Sequence, residues 1–285
     1  MSTLTVFIRA LPDSALNGRI DHHWWDDRTE RRDRDAEALA NRLQSVTFRA
    51  WPKEDTAPSI RVLNERTWSQ ATALELEFDT ESPLSARLYL YLPNQKTHAL
   101  RLHTLSHDEW PSFQRTWAGL PSAQSTSTTA TAWLTPRDTG ALRWNLEPRR
   151  RVHVRRSLAL LGETIDSGKV YDILRAIKAL ESPGLELKDH SITLSGRGGS
   201  GFLSLIASLY ADRVHVVDWA DAPEPTDPGG HLLNWRRETG LSSILAAVAS
   251  VRRVDIAAPS PVARSQWEAL VQTLPDPTRA QVTVR

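Results

Sequence analysis

Cysteine is absent from the 285 residues. That excludes disulfides and thiolate metal sites, and it leaves the redox compartment unreadable. No run of about 18 apolar residues occurs, so no helix long enough to cross a membrane is expected. The opening MSTLTVFIRALPDS lacks the long apolar core of a secretion signal. Location therefore stays open, and export is expected only if the chain belongs to a larger secreted precursor. An excess of either charge is lacking too. With 35 basic and 34 acidic residues the net charge is +1, which argues against a general partner for nucleic acid or an anionic membrane.

What is present reads as a globular chain, with 40% apolar and 24% charged residues. Its length suffices for one large domain or two small ones with a sizeable core. Eleven tryptophans run from Trp24 to Trp267. Their rings can stack on sugars, but side chains of this size mostly fill cores and domain interfaces.

Residues 1–55 read as an N-terminal extension with a helical segment, and 56–285 as the main domain. In the extension, dense charges precede Leu39, Leu43 and Val46 at helical spacing. His22, His23, Asp26 and Asp27 sit next to one another. Adjacent residues point in different directions on a regular element, so a metal site is not expected there. From Trp68 the stretches ATALELEFD, SARLYLYLP and THALRLHTL alternate apolar and polar residues like strands. SPL and PNQK serve as turns between them. After the Ser/Thr-rich SAQSTSTT, TATAWLTP reads as a further strand.

Beyond residue 150 the pattern becomes strand, helix, strand. RRSLALLG, SITLSG, VHVVDWA, VRRVDIAAP and QVTVR are predicted strands. KVYDILRAIKAL, GFLSLIASLYA, LLNWRRETGLSSILAAVASV and SQWEALVQTLP are predicted helices. Such alternation predicts βαβ units. The expected fold is α/β, a mostly parallel central sheet of about eight strands flanked by helices on both faces. The basic run RRRVHVRR at 149–156 reads as a charged strand edge, with an acidic sugar or a partner as the sharper reading. Gly162–Asp166 falls where a ligand could bind, at the C-terminal edge of a sheet. Asp172 is placed to favour a helix dipole.

The segment TLSGRGGSGFLS joins a predicted strand to a predicted helix through glycines. Gly196, Gly198 and Gly201 spell G-x-G-x-x-G, and Asp218 stands near the end of the next strand, where a dinucleotide fold places its ribose carboxylate. That fingerprint normally opens the first βαβ unit, and here several strands precede it. The second reading is a nucleophile elbow, G-x-S-x-G, with Gly198 standing where the nucleophile would be.

Here the chain resembles the α/β-hydrolase superfamily. More narrowly it resembles large bacterial proteins, common in planctomycetes, described as acetyl xylan esterases or prolyl-oligopeptidase-like hydrolases. The resemblance rests on ALPDSALNGRID, TFRAWP, LTPRDTG, RRSLALLGETIDSGKVYDILRAIKAL, LSGRGGSG and GGHLLNWRRETGL, in that order. It implies the C-terminal one of two hydrolase-like halves, a half that often lacks the catalytic serine. A triad of this fold runs Ser, acid, His, with the His after the last strand. The last histidine is His231, and the stretch after VRRVDIAAP offers Glu268, a helix-surface residue. Ser200, Asp218 and His231 form the remaining non-standard set. Their bland roles are a helix cap, a loop-ordering bond and a surface turn.

The reading is a degenerate hydrolase-like domain supporting a carbohydrate esterase. Its expected partner is a companion hydrolase domain or chain, with a polysaccharide as a further partner, and it needs no cofactor or metal. An active esterase with a non-standard set, and a nucleotide-binding domain using Gly196, Gly198, Gly201 and Asp218, are the alternatives.

Overall fold

The computed structural model describes residues 36–53, 56–95, 97–120, 129–144 and 147–285. His22, His23, Asp26 and Asp27 lie outside them, as does most of SAQSTSTT. Period-two alternation sets the sheet. β2 (Ala71–Glu81) and β3 (Leu84–Pro93) are long antiparallel neighbours, and β1 (Ile60–Thr67) adds an exposed strand outside β2. β4 (Ala99–Thr104), β5 (Ala130–Thr135), β6 (Ser191–Arg197), β7 (Val214–Ala220), β8 (Arg253–Ile256) and β9 (Val282–Val284) complete it. The order across the sheet is β1-β2-β3-β5-β4-β6-β7-β8-β9. Pairing is antiparallel as far as β3/β5 and parallel from β5/β4 onward. β6 lies between β4 and β7 and is the sixth strand in chain order, whereas a dinucleotide fingerprint strand is the first of its sheet.

The two faces differ. Leu102, Leu134, Leu194, Val217, Trp219, Val254 and Ile256 are buried on the first. Helix α1 (Ala36–Val46) adds Leu39 and Leu43 to that core, so the helical segment expected near the N-terminus packs against the domain. Helix α4 (Ile165–Ala179) starts at a reciprocal cap. The Ser167 amide donates to Thr164 Oγ1, and the Thr164 amide donates to Ser167 Oγ. It buries Val170, Ile173 and Ala176. Helix α5 (Gly199–Ser208) leaves β6 directly and is buried from Gly201 to Ser208. Helices α6 (Trp235–Glu238), α7 (Leu241–Ala249), α8 (Pro261–Gln272) and α9 (Asp276–Arg279) finish the first layer. Trp267 of α8 meets Trp219 edge-on at 5.1 Å. Each fully buried side chain of this kind contributes about 1.5–3 kcal/mol.

The second face carries a row of residues set by strand register: Tyr89, Trp133, His103, Ser195, Asp218 and Asp255. Helix α2 (Trp110–Ala118) covers the aromatic end, where Phe113 and Trp117 pack on Tyr89 and Trp133. Among the described residues, the rest of the row is bordered by exposed Arg101, Arg197, Arg253 and Arg285. Helices were expected on both faces, and both carry them; among the described residues α2 covers the aromatic end of the second.

Two local readings are corrected. RRSLALLG is not a strand: residues 148–161 form helix α3 (Pro148–Leu161), which ends at Gly162 with φ 84°. The basic run 149–156 therefore lies on a helix. The expected single helix LLNWRRETGLSSILAAVASV is two, α6 and α7, parted by Thr239 and Gly240.

Candidate functional site

The turn from β6 into α5 is built around glycines for three separate reasons. Gly196 lies so close to the helix start that a Cβ there would stand 2.7 Å from the Ser200 carbonyl carbon. Gly201 faces the Trp219 indole, where a Cβ would fall 2.0 Å from Cδ1. Gly198 has φ 52° and ψ −129°, a conformation L side chains rarely adopt. The Gly198 amide donates to the Ala220 carbonyl at 2.9 Å, and Trp219 Nε1 donates to the Gly198 carbonyl at 2.8 Å. A Cβ at Gly198 would meet no atom within 4 Å. This is a sharp strand-to-helix turn whose middle residue stands open to the space above it and carries no side chain.

A cavity of about 580 Å³ lies at this end of the sheet. Gly229 and Gly230 pack on Gly199, and the next residue, His231, lines the cavity. The His231 amide donates to Asp166 Oδ2 at 2.8 Å, and Lys169 Nζ lies 3.4 Å from Asp166 Oδ1. Across the cavity Arg151 grips Asp138 at 2.5 and 3.2 Å, while the Trp144 amide donates to the same carboxylate at 3.0 Å. Arg143, which bonds His107, and Arg155 add two further cations to the wall. Four basic side chains thus face two carboxylates, an electropositive lining.

The predicted site residues divide between the two faces of the sheet. Gly196, Gly198, Gly201 and Ser200 form the elbow, and Ser200 sits in the first turn of α5. Asp218 leaves β7 on the second face, where Arg101 Nη1 donates to it at 2.7 Å and Arg285 Nη2 at 3.2 Å. His231 stands at the cavity wall. No hydrogen bond joins Ser200, Asp218 and His231 among the described residues. The Gly162–Asp166 reading reaches the cavity through Asp166, though that segment follows α3 rather than a strand. Glu268 is exposed on α8. Asp172 does not serve a helix dipole. It is fully buried and takes Arg137 bidentately, with Nη2 2.8 Å from Oδ1, Nε 3.1 Å from Oδ2, and the Arg137 amide 2.7 Å from Oδ2. Glu81 and Glu163 share the same guanidinium at 2.5 and 3.2 Å. Burial alone would lower the Arg137 pKa, but Asp172 and Glu81 raise it further. This cluster ties β2, the loop after β5 and α4 together beneath the cavity.

Sequence reasoning missed Asp138, Arg143 and Lys169 in the cavity wall. The LTPRDTG segment held the signal, because its Arg137 and Asp138 are buried and paired. Among the described residues no group of three or more His, Asp or Glu side chains is placed to hold a metal ion.

No family model matches the chain, and no curated sequence does. Solved structures do match it. One, assigned as an acetyl xylan esterase of Bacteroides fragilis, superposes with a TM-score of 0.62 at 12% identity, over 87% of this chain and 73% of that one. A methylesterase matches with a TM-score of 0.61 at 14% identity, over 91% of this chain and 59% of the other. A glucuronoyl esterase from Teredinibacter turnerae gives 0.54 at 10% identity, over 82% and 69%. Identity this low speaks for the fold alone. The chain has a mostly parallel α/β sheet flanked by helices, the α/β-hydrolase-like fold of carbohydrate esterases.

Proposed function

We propose that the chain is an α/β-hydrolase-like domain whose elbow is catalytically degenerate and that supports a companion carbohydrate esterase. Its elbow carries no nucleophile, and its electropositive cavity holds polysaccharide rather than cleaving it. The observation that carries this reading is Gly198. The backbone keeps the conformation and the open space that a nucleophile needs, and the residue there has no side chain. Catalysis at an elbow needs an activated oxygen and an oxyanion hole together. The hole alone leaves about a thousandfold over water by comparison with triad deletions. Two things support retention of the cavity for binding. Arg143, Arg151, Arg155 and Lys169 converge on one volume, and carbohydrate esterases share the fold.

The test is binding without turnover at the elbow. Isothermal calorimetry with acetylated glucuronoxylan is expected to show binding that weakens in Arg155→Ala. Product analysis should show no acetate release that depends on Ser200. Acetate release lost on Ser200→Ala would overturn the reading in favour of an active esterase with a non-standard set.

A further inference from the structure

The second face of the sheet holds chemistry that the elbow lacks. Parallel register pairs His103 of β4 with Ser195 of β6, so both side chains leave the same face on adjacent strands. Ser195 Oγ lies 3.0 Å from His103 Nδ1, and His103 Nε2 lies 2.8 Å from Glu109 Oε1. Glu109 is itself fixed by a reciprocal box at the start of α2. The Ser106 amide donates to Glu109 Oε2 at 2.9 Å, and the Glu109 amide donates to Ser106 Oγ at 3.3 Å. Nucleophile, base and orienting carboxylate thus stand in one line. Each is held by a different piece of regular structure, which is what fixes the imidazole.

The protonation pattern follows from the partners. Glu109 is held below the usual carboxylate range. Burial opposes this, but the bonds from His103 and the Ser106 amide outweigh it. Glu109 accepts from Nε2–H, and in the neutral imidazole that tautomer leaves the Nδ1 lone pair to accept from the Ser195 hydroxyl. A cavity of about 360 Å³ opens over Ser195 and His103. Arg101 and Arg197 also line it, each two residues from His103 or Ser195 along the same strand. Arg197 is steadied by Asp221, whose Oδ2 accepts from Nε at 2.8 Å. Trp133 forms an apolar part of the lining.

We propose that Ser195, His103 and Glu109 form a serine hydrolase site on the sheet face opposite the elbow, cleaving short-chain acyl esters whose alcohol lies in solvent. The inference stands apart from the reading of the elbow and does not depend on it. Ser195 Oγ bonds to the acyl carbon as its proton passes to His103 Nδ1, and the carbonyl π pair moves onto oxygen. The amides of Ser195 and its neighbours belong to a strand, so the guanidinium of Arg197 meets that oxyanion. The ester C–O bond then breaks, and the departing alkoxide takes the proton from Nδ1. Water repeats the sequence on the acyl-serine. It gives its proton to His103, which returns it to Ser195 as the carboxylic acid leaves. Along the chain the order is His, Glu, Ser, and such a set is recognised by geometry rather than by order.

The experiment treats the whole chain with a fluorophosphonate and maps the label by mass spectrometry, alongside p-nitrophenyl acetate hydrolysis. Stoichiometric label on Ser195 is expected. Hydrolysis should fall about a hundredfold or more in Ser195→Ala and His103→Gln. Glu109 is a positioning residue. Glu109→Gln should lower kcat about tenfold or more at unchanged KM, and Glu109→Asp should recover part of that loss. Ser195 left unlabelled in the folded wild-type chain overturns this proposal and leaves the elbow reading intact. Label on Ser200 instead overturns both.

Discussion

Gly201 of α5 lies flat against the indole of Trp219 on β7, with no room between them for a methyl group. The helix can leave β6 this close to the sheet only because the third glycine of the turn lacks a Cβ, which would fall 2.0 Å from Trp219 Cδ1. Trp219 is fully buried against Phe202 and Trp267 and cannot swing away. Gly201→Ala is expected to cost about 3 kcal/mol by overpacking. A urea midpoint within error of wild type would contradict this.

The other two glycines differ in what they resist. A Cβ at Gly196 would strike the backbone of Ser200 and Gly201 at 2.7–2.8 Å, whereas at Gly198 it would meet nothing. Gly198→Ala pays only backbone strain at φ 52°, about 1–2 kcal/mol. Gly196→Ala is expected to lose clearly more than that. Paired thermal melts should rank Gly196→Ala below Gly198→Ala, and equal losses would show that the turn is not packed as described.

Arg137 and Asp172 make a buried pair, 4% and 0% exposed at their side chains. Removing the Asp172 charge leaves Arg137 only the more exposed Glu81 and Glu163 as ionic partners. Asp172→Asn should destabilise by about 1.5–3 kcal/mol, the loss of charge-assisted hydrogen bonds inside the cluster. The change would appear as a lower guanidinium midpoint with an unaltered slope. A loss under about 1 kcal/mol would place the pair among weak surface ion pairs.

Two carboxylates respond to pH with opposite signs. Burial, then Glu81, and then Asp172 raise the Glu163 pKa, and Arg137 offsets part of this. A raised folded pKa contributes stability below the ordinary carboxylate range and loses it as pH rises through the folded value. Glu163→Gln should therefore gain on wild type as pH rises above the ordinary carboxylate range. Glu109, whose pKa is lowered, contributes above that range and loses it as pH falls. Its Gln variant should be destabilised at pH 7, with the deficit closing in acid. Parallel behaviour of the two variants in a pH series of urea melts would contradict these assignments.

Strands and helices whose one side is buried were legible in the sequence, because burial writes a period into the residues. β2, β3, β6 and α4 are examples. The misreadings fall where nothing is buried. Helix α3 has no buried residue, and Leu160 and Leu161 are 86% and 73% exposed, so its sequence carries no helical face and VHVRR imitates a strand. β1 is exposed along most of its length and gave no alternation to read. The glycine turn between β6 and α5 was legible because its glycines answer to local backbone geometry. The Ser195–His103–Glu109 line was not, because register between β4 and β6 brings together residues 92 positions apart. A Ser-x-x-Glu box at 106–109 was the one local trace of it.

The central claim is that the elbow has no working nucleophile, and Ser200 is the nearest serine that could refute it. The direct measurement is the rate of acetate release from acetylated xylan and of p-nitrophenyl acetate hydrolysis by the wild-type chain and by Ser200→Ala, at matched folded concentration. The account predicts the same rate for both proteins and no phosphonate adduct on Ser200. A rate that collapses in Ser200→Ala, with stoichiometric adduct on Ser200 in the wild type, would contradict it.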